Sequence, residues 1–120
     1  MKARTTNTNP PRLHGSSPWD QIDFLRVIAP GVVSVSTPSH GGLWISPELE
    51  ATIPADCQAI ARQYAPAGWY EEDCDCLIPI ALLEGFDPKH VAVARNYAMK
   101  NARFAPIARE LDRRHITIAA

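Results

Sequence analysis

The sequence predicts an α+β fold, in which a small three-stranded antiparallel β-meander packs against three to four α-helices. Alternating β-branched residues precede residue 46, whereas helix caps and helical spacing follow it. Eleven prolines favour short elements over long helices. A length of 120 residues fits one domain. We expect residues 1–17 to be a disordered N-terminal arm and residues 18–120 to be the domain.

The predicted sheet comes first in the chain. Residues 22–28 alternate in part between apolar and polar side chains, and residues 32–37 alternate clearly, with Val33 and Val35 on one face. A third strand is predicted at residues 43–45. Because the connections are too short for a parallel crossover, the strands are expected to pair antiparallel.

Helices are predicted from Ser46 onward. Ser46 followed by Pro47 is typical of a helix start, and Asp87 before Pro88 repeats the signal. Helical spacing then predicts helices over residues 55–64, 71–83, 88–104 and 107–113.

Pro79 is a difficulty for the helix predicted over residues 71–83, because a proline either kinks a helix or marks its true start. A strand over residues 77–82 is the alternative interpretation of this apolar run. Residues 116–118 are expected to form a terminal strand or a frayed tail.

The formal net charge of −1 conceals an uneven distribution. Residues 46–87 carry nine acidic side chains against Arg62 alone, and residues 88–120 carry seven basic side chains against two acidic ones. Such asymmetry bears on partners, or the two segments neutralise each other within the domain. A pI near 6.4 disfavours direct nucleic-acid binding as the main role.

The N-terminus lacks the apolar stretch of a signal peptide, and no apolar run approaches the ~20 residues of a membrane span. The three cysteines do not suggest a disulfide framework, since Cys74 and Cys76 are separated by one residue. We therefore expect an intracellular, cytoplasmic protein without membrane contact.

Two short stretches carry the candidate chemistry. In Thr37-Pro38-Ser39-His40-Gly41-Gly42, the glycines permit a tight turn that could bind an anion or present the His40 imidazole. The motif alone favours an ordinary hairpin turn with His40 on the surface. The second stretch is Trp69-Tyr70-Glu71-Glu72-Asp73-Cys74-Asp75-Cys76, in which aromatic residues lead into a dense group of carboxylates and thiols.

The second stretch has several interpretations. Its acids could form a face for a basic protein, or His40 could activate Cys74 beside Glu71 and Asp73. A zinc site of His40, Cys74 and Cys76 lacks the usual ligand spacing, so no metal and no cofactor is predicted. The plainest interpretation is a solvated helix N-terminus with Cys74 in the core. Trp69 and Tyr70 are core anchors or part of the binding face.

The combination of these stretches with Ser46-Pro47-Glu48 and Ile53-Pro54 resembles an uncharacterised bacterial domain found in proteins of phages, plasmids and other mobile elements. The resemblance spans roughly residues 18–84. In that family an aromatic residue follows the position of Asp75, where this chain has Cys76, and this difference argues against a metal site built on Cys76. The resemblance implies no activity, but His40 and residues 69–74 match its pattern.

We therefore predict a small binding protein of phage or plasmid origin that inhibits a host defence system of the CRISPR or restriction type. Its partner would be a protein, either a defence component or a nucleic-acid-binding complex. The predicted binding face comprises Trp69, Tyr70, Glu71, Glu72, Asp73 and Asp75. The alternative is a small hydrolase or transferase that uses His40 with Glu71, Asp73 and Cys74.

Overall fold

The computed structural model describes residues 9–118, which form an α+β fold with a four-stranded antiparallel sheet and five α-helices. The strands are β1 (Phe24–Ala29), β2 (Val32–Ser36), β3 (Gly41–Ile45) and β4 (Trp69–Glu71), in the spatial order β1-β2-β3-β4. The helices are α1 (Pro47–Glu50), α2 (Ala55–Ala61), α3 (Leu77–Leu82), α4 (Pro88–Lys100) and α5 (Ala105–Arg113).

The α+β class and the three predicted strands are confirmed, but the sheet has a fourth strand and there is one helix more than predicted. The prediction of a helix over residues 71–83 is wrong in its first half, because Glu71 pairs with Gly42 of β3 and residues 72–76 form turns. The helix begins at Leu77, so the strand predicted as an alternative at residues 77–82 is also wrong. Pro79 lies in the first turn, where a backbone N–H has no acceptor within the helix.

The sheet separates two apolar clusters, as the alternation of side chains along a pleated strand requires. One face contacts the helices through three fully or almost fully buried side chains, Leu43, Ile45 and Tyr70. The other face carries Val33, Val35, Trp44 and Trp69 and is covered by Ile22 and Trp19. The predicted placement of Val33 and Val35 on one face is therefore confirmed.

The predicted helix starts are confirmed by their caps. The Ser46 hydroxyl accepts a hydrogen bond from the Leu49 N–H at 3.3 Å, and the Asp87 carboxylate accepts one from the Lys89 N–H at 2.8 Å. The helix predicted over residues 88–104 ends earlier, at Lys100. It is followed by a 3₁₀ turn, Ala102–Phe104, that leads directly into α5. Residues 116–118 form no strand.

The described structure begins before Pro18, within the predicted arm. The His14 N–H donates to the Ile22 carbonyl at 2.7 Å, and Ser16 pairs with Gln21 in an isolated antiparallel bridge. These contacts lead the chain onto the Trp19 face of the sheet. Residues 1–8 of the predicted arm lie outside the described residues.

Candidate functional site

The two stretches singled out in the sequence lie side by side because β3 pairs with β4, which places Gly42 opposite Glu71. Beyond this pair, the Gly41 N–H donates to the Glu72 carboxylate at 3.0 Å, and the Glu72 N–H donates to the Gly41 carbonyl at 3.0 Å. A Cβ on Gly41 would lie 2.7 Å from the Val35 carbonyl oxygen and 3.1 Å from the Glu72 carboxylate. Glycine is therefore required for this close approach.

The turn before Gly41 is held by Thr37. Its hydroxyl donates to the His40 carbonyl at 2.5 Å and accepts from the His40 N–H at 3.1 Å. The Ser39 hydroxyl donates to the Trp19 carbonyl at 3.1 Å, which ties the turn to the segment that covers the sheet. Such local side-chain hydrogen bonds specify one turn conformation. The backbone of His40 is thus fixed while its side chain remains 49% exposed.

His40, Glu71 and Asp73 form the candidate site, which we call the His–carboxylate cluster. Each contributes a nitrogen or oxygen atom, and these three atoms lie within 4.8 Å of one another. His40 Nδ1 is 3.9 Å from Glu71 Oε2. Within residues 9–118, neither lysine nor arginine forms an ion pair with Glu71 or Asp73. The cluster offers one imidazole and two carboxylates to solvent.

Trp69 and Tyr70 belong to the core and not to an exposed binding face. Trp69 packs edge-to-face on Trp19 with ring centroids 5.5 Å apart. The Tyr70 hydroxyl donates to Glu50 Oε2 at 2.6 Å, and the Arg62 guanidinium lies 4.9 Å from the centre of its ring. Burial, followed by this hydrogen bond to Glu50, raises the pKa of Tyr70 well above its usual range.

Asp75 is also buried, at 1% exposure, and so does not contribute to the predicted acidic face. Arg103 Nη1 lies 2.9 Å from Asp75 Oδ1, although neither carboxylate oxygen has a hydrogen bond of good geometry within the described residues. The Arg103 guanidinium also stacks over Phe104, 4.9 Å from the ring centre. The contact is an ion pair that joins the start of α3 to the 3₁₀ turn. Of the six predicted binding residues, Glu71, Glu72 and Asp73 retain access to solvent.

A groove of about 300 Å³ adjoins the cluster between α3 and α4. Asp73 belongs to both the cluster and the wall of this groove. Across from it, α4 presents His90, Val93 and Tyr97, of which Val93 is 69% exposed and Tyr97 43% exposed. We did not predict these three residues as functional, although their spacing of three and four positions places them on one face of a helix.

A larger pocket of about 500 Å³ lies between α4 and residues 117–118. None of the predicted site residues lines it. Its wall carries four polar side chains, Glu84, Arg95, Asn96 and Thr117. The Arg95 side chain already donates to the Ala81 carbonyl at 3.1 Å. The groove beside Asp73 is therefore the better candidate site despite its smaller volume.

Neither Cys74 nor Cys76 belongs to the His–carboxylate cluster, and the activation of Cys74 by His40 stays a prediction. Cys74 and Cys76 instead line the groove. The Cys76 thiol donates to the Glu72 carbonyl at 3.0 Å. Burial, with the nearby charges of Asp75, Cys74 and Glu72, raises the pKa of Cys76 to about 11. Cys76 is therefore a neutral thiol at pH 7.

No described helix combines the length and the apolar character that crossing a membrane requires. Comparison with known proteins found no matching curated protein and no matching solved structure. A family model described as a domain of unknown function, DUF7007, matches residues 12–114. The matched residues include β3, β4, the His–carboxylate cluster and the groove. The chain accordingly belongs to the DUF7007 family.

Proposed function

We propose that this chain is a small binding protein that meets a basic protein partner through Glu71, Glu72, Asp73 and the adjoining groove. The observation that carries the proposal is the position of Asp73, which joins the carboxylates to the apolar groove wall. Exposed apolar side chains next to a charged rim are the usual anatomy of a protein interface. Unpaired carboxylates at that rim would attract and orient a cationic partner.

The apolar part of this surface comes from α4. Val93 and Tyr97 are large, exposed side chains four residues apart on one helix. Tyrosine is enriched among residues that dominate binding energy, because its ring buries a large area while its hydroxyl remains solvated. A partner side chain that enters the groove would thus contact Tyr97 on one side and meet Asp73 at the end.

The biological setting we propose rests on the resemblance to mobile-element proteins. A phage or plasmid protein of this kind would act by blocking a host component. The proposed partner is a protein of a CRISPR or restriction system in the bacterial cytoplasm, whose nucleic-acid-binding surface is basic. Carboxylates on the inhibitor would then occupy positions that phosphates normally take.

A test of this proposal uses two variants with two matched controls. Asp73→Lys reverses a charge at the groove, and Asp112→Lys reverses an exposed charge on α5. Val93→Glu disrupts the apolar wall, and Met99→Glu makes the same change at an exposed position of α4 outside the groove. The variants are expressed in a strain with an active defence system, and phage plating and captured proteins are measured.

We expect the wild type and both controls to raise phage plating and to capture one defence protein, whereas Asp73→Lys and Val93→Glu do neither. Equal behaviour of all variants would refute the proposed surface. A wild type that neither protects phage nor captures a component of any defence system tested would refute the proposed setting.

A second candidate function is hydrolysis or group transfer, and the distance of 3.9 Å between His40 and Glu71 favours it. A carboxylate near an imidazole can orient the ring for general acid–base catalysis. Cys74 has no place in this version, since its sulfur lies outside the cluster. His40→Ala separates the two functions, because it would abolish catalysis while leaving the binding surface around Asp73 and Val93 in place.

A further inference from the structure

We infer that His40, Glu71 and Asp73 bind a divalent first-row transition-metal ion, of which Zn²⁺ and Mn²⁺ are the best matches. The inference goes beyond the proposed partner binding and does not depend on it. An imidazole nitrogen suits transition metals, whereas carboxylate oxygens suit harder ions. One nitrogen with two carboxylates therefore favours an ion of intermediate character over Ca²⁺ or Mg²⁺.

The distances are compatible with such an ion. Metal–ligand bonds of about 2.1 Å at tetrahedral angles separate neighbouring donor atoms by about 3.4 Å. The three donor atoms lie within 4.8 Å of one another, and the Nδ1–Oε2 distance is 3.9 Å. Small rotations of the exposed His40 and Asp73 side chains would close the remaining gap without moving the backbone.

The charges supply an independent argument. Glu71 and Asp73 hold two carboxylates close together, and within residues 9–118 no lysine or arginine pairs with either. Among the described residues, Glu71 is the one partly or fully buried acid without an arginine partner, because Glu50, Asp75 and Glu110 each have one. Like charges at this separation repel, and a bound cation would remove that cost.

The backbone around the cluster is held in place by its own hydrogen bonds. The Thr37 hydroxyl fixes the His40 turn, and the two hydrogen bonds between Gly41 and Glu72 fix that turn against the end of β4. Ligands held by such outer contacts lose little freedom on binding an ion. Because only three protein donors converge at the surface, water or an anionic group would complete the coordination.

The test is isothermal titration calorimetry, in which the EDTA-treated protein is titrated with ZnCl₂ and, in a separate experiment, with MnCl₂. The variants are His40→Gln and Asp73→Asn, and His90→Gln is the matched control, since His90 is an exposed histidine of the groove outside the cluster. Circular dichroism shows that each variant folds. Co²⁺ is added as a spectroscopic probe because its absorption reports thiolate ligands.

We expect one ion per chain, a loss of affinity of more than about tenfold in His40→Gln and Asp73→Asn, and no change in His90→Gln. Equal affinity in His40→Gln, or no saturable binding by the wild type, would overturn the inference. A thiolate-to-Co²⁺ charge-transfer band would also overturn it, because it would place the ion on cysteine. A wild type that binds the ion but captures no defence protein would support this inference and refute the proposed function, and the reverse result would overturn this inference alone.

Discussion

Two groups of carboxylates in this molecule have opposite surroundings. Glu50 is buried and accepts hydrogen bonds from the Tyr70 hydroxyl, the Gly68 N–H and the Arg62 guanidinium. Glu71 and Asp73 are accessible to solvent, and among the described residues they lie beside the His40 imidazole and have no lysine or arginine partner. The fully partnered acid holds the fold together, and the poorly partnered pair is the one available to bind something else.

Arg62 makes several further contacts in the hydrogen-bond network around Glu50. Besides its contact with Glu50, its guanidinium donates to the carbonyls of Ala65, Pro66 and Trp69 and lies against the Tyr70 ring. These contacts join α2 to β4 and the turn between them. A buried acid in such a network is worth more to stability than its ion pair alone, because each donor would otherwise be left without an acceptor.

The largest expected effect is therefore at Glu50. Glu50→Ala removes the acceptor from the Tyr70 hydroxyl and the Gly68 N–H and should lower the free energy of unfolding by about 3 kcal/mol. Urea denaturation followed by circular dichroism measures it. The control is Glu48→Ala, an exposed acid of the same helix, which should change stability by less than about 0.5 kcal/mol. Equal losses in the two variants would contradict the distinction between partnered and unpartnered acids.

The next effect concerns Cys76, which lines the groove beside Asp73. Its folded pKa of about 11 exceeds the ordinary value of 9.0, so folding favours the neutral thiol. The stabilisation is complete below pH 9 and is lost as the pH rises towards 11. We expect stability to fall across that range, and to fall less in Cys76→Ser. Denaturation midpoints at pH 8, 9, 10 and 11 measure the effect, and identical pH profiles would contradict it.

Alkylation gives a second readout for the same thiol. Mass spectrometry after iodoacetamide treatment at pH 8 should find Cys76 almost unmodified, because the thiolate is the reactive form. Cys57 should also remain unmodified, since burial raises its pKa to about 12. Rapid modification of Cys76 at pH 8 in the folded protein would contradict the assignment.

The smallest expected effect has the opposite sign. Glu71→Gln removes one of two neighbouring carboxylates that lack an arginine or lysine partner, so it should raise the free energy of unfolding slightly, by up to about 0.5 kcal/mol. Urea denaturation at low ionic strength measures the change, and added salt should reduce it. A loss of stability comparable to that of Glu50→Ala would show that Glu71 is structural and would remove the basis of the candidate site.

Short-range sequence signals predicted much of the fold. The alternation of Val33 and Val35 with serines identified β2, and Ser46 and Asp87 identified two helix starts. These signals depend on neighbours in sequence, which is why they can be interpreted without a structure. They also marked His40 and residues 71–73 as a region of interest, although none of them established how close these side chains lie.

The missed features depend on distant contacts. Nothing local distinguishes Trp69–Glu71 as a strand, because it is only three residues long and exists through its pairing with β3. The same pairing buried Trp69 and Tyr70, which we had assigned to a binding face. Asp75 was assigned there as well, and it is buried because Arg103 approaches from a segment nearly thirty residues later.

The sequence by itself determined the α+β class, the first three strands, the capped helix starts and the two stretches worth attention, since propensity and capping act over a few residues. The tertiary structure was needed to show which carboxylates are exposed. It was also needed to show that Cys74 and Cys76 line a groove and that His40 lies beside Glu71 and Asp73. The reason is physical: burial and ion pairing are set by whatever packs against a side chain, and for these residues the packing partners are remote in the chain.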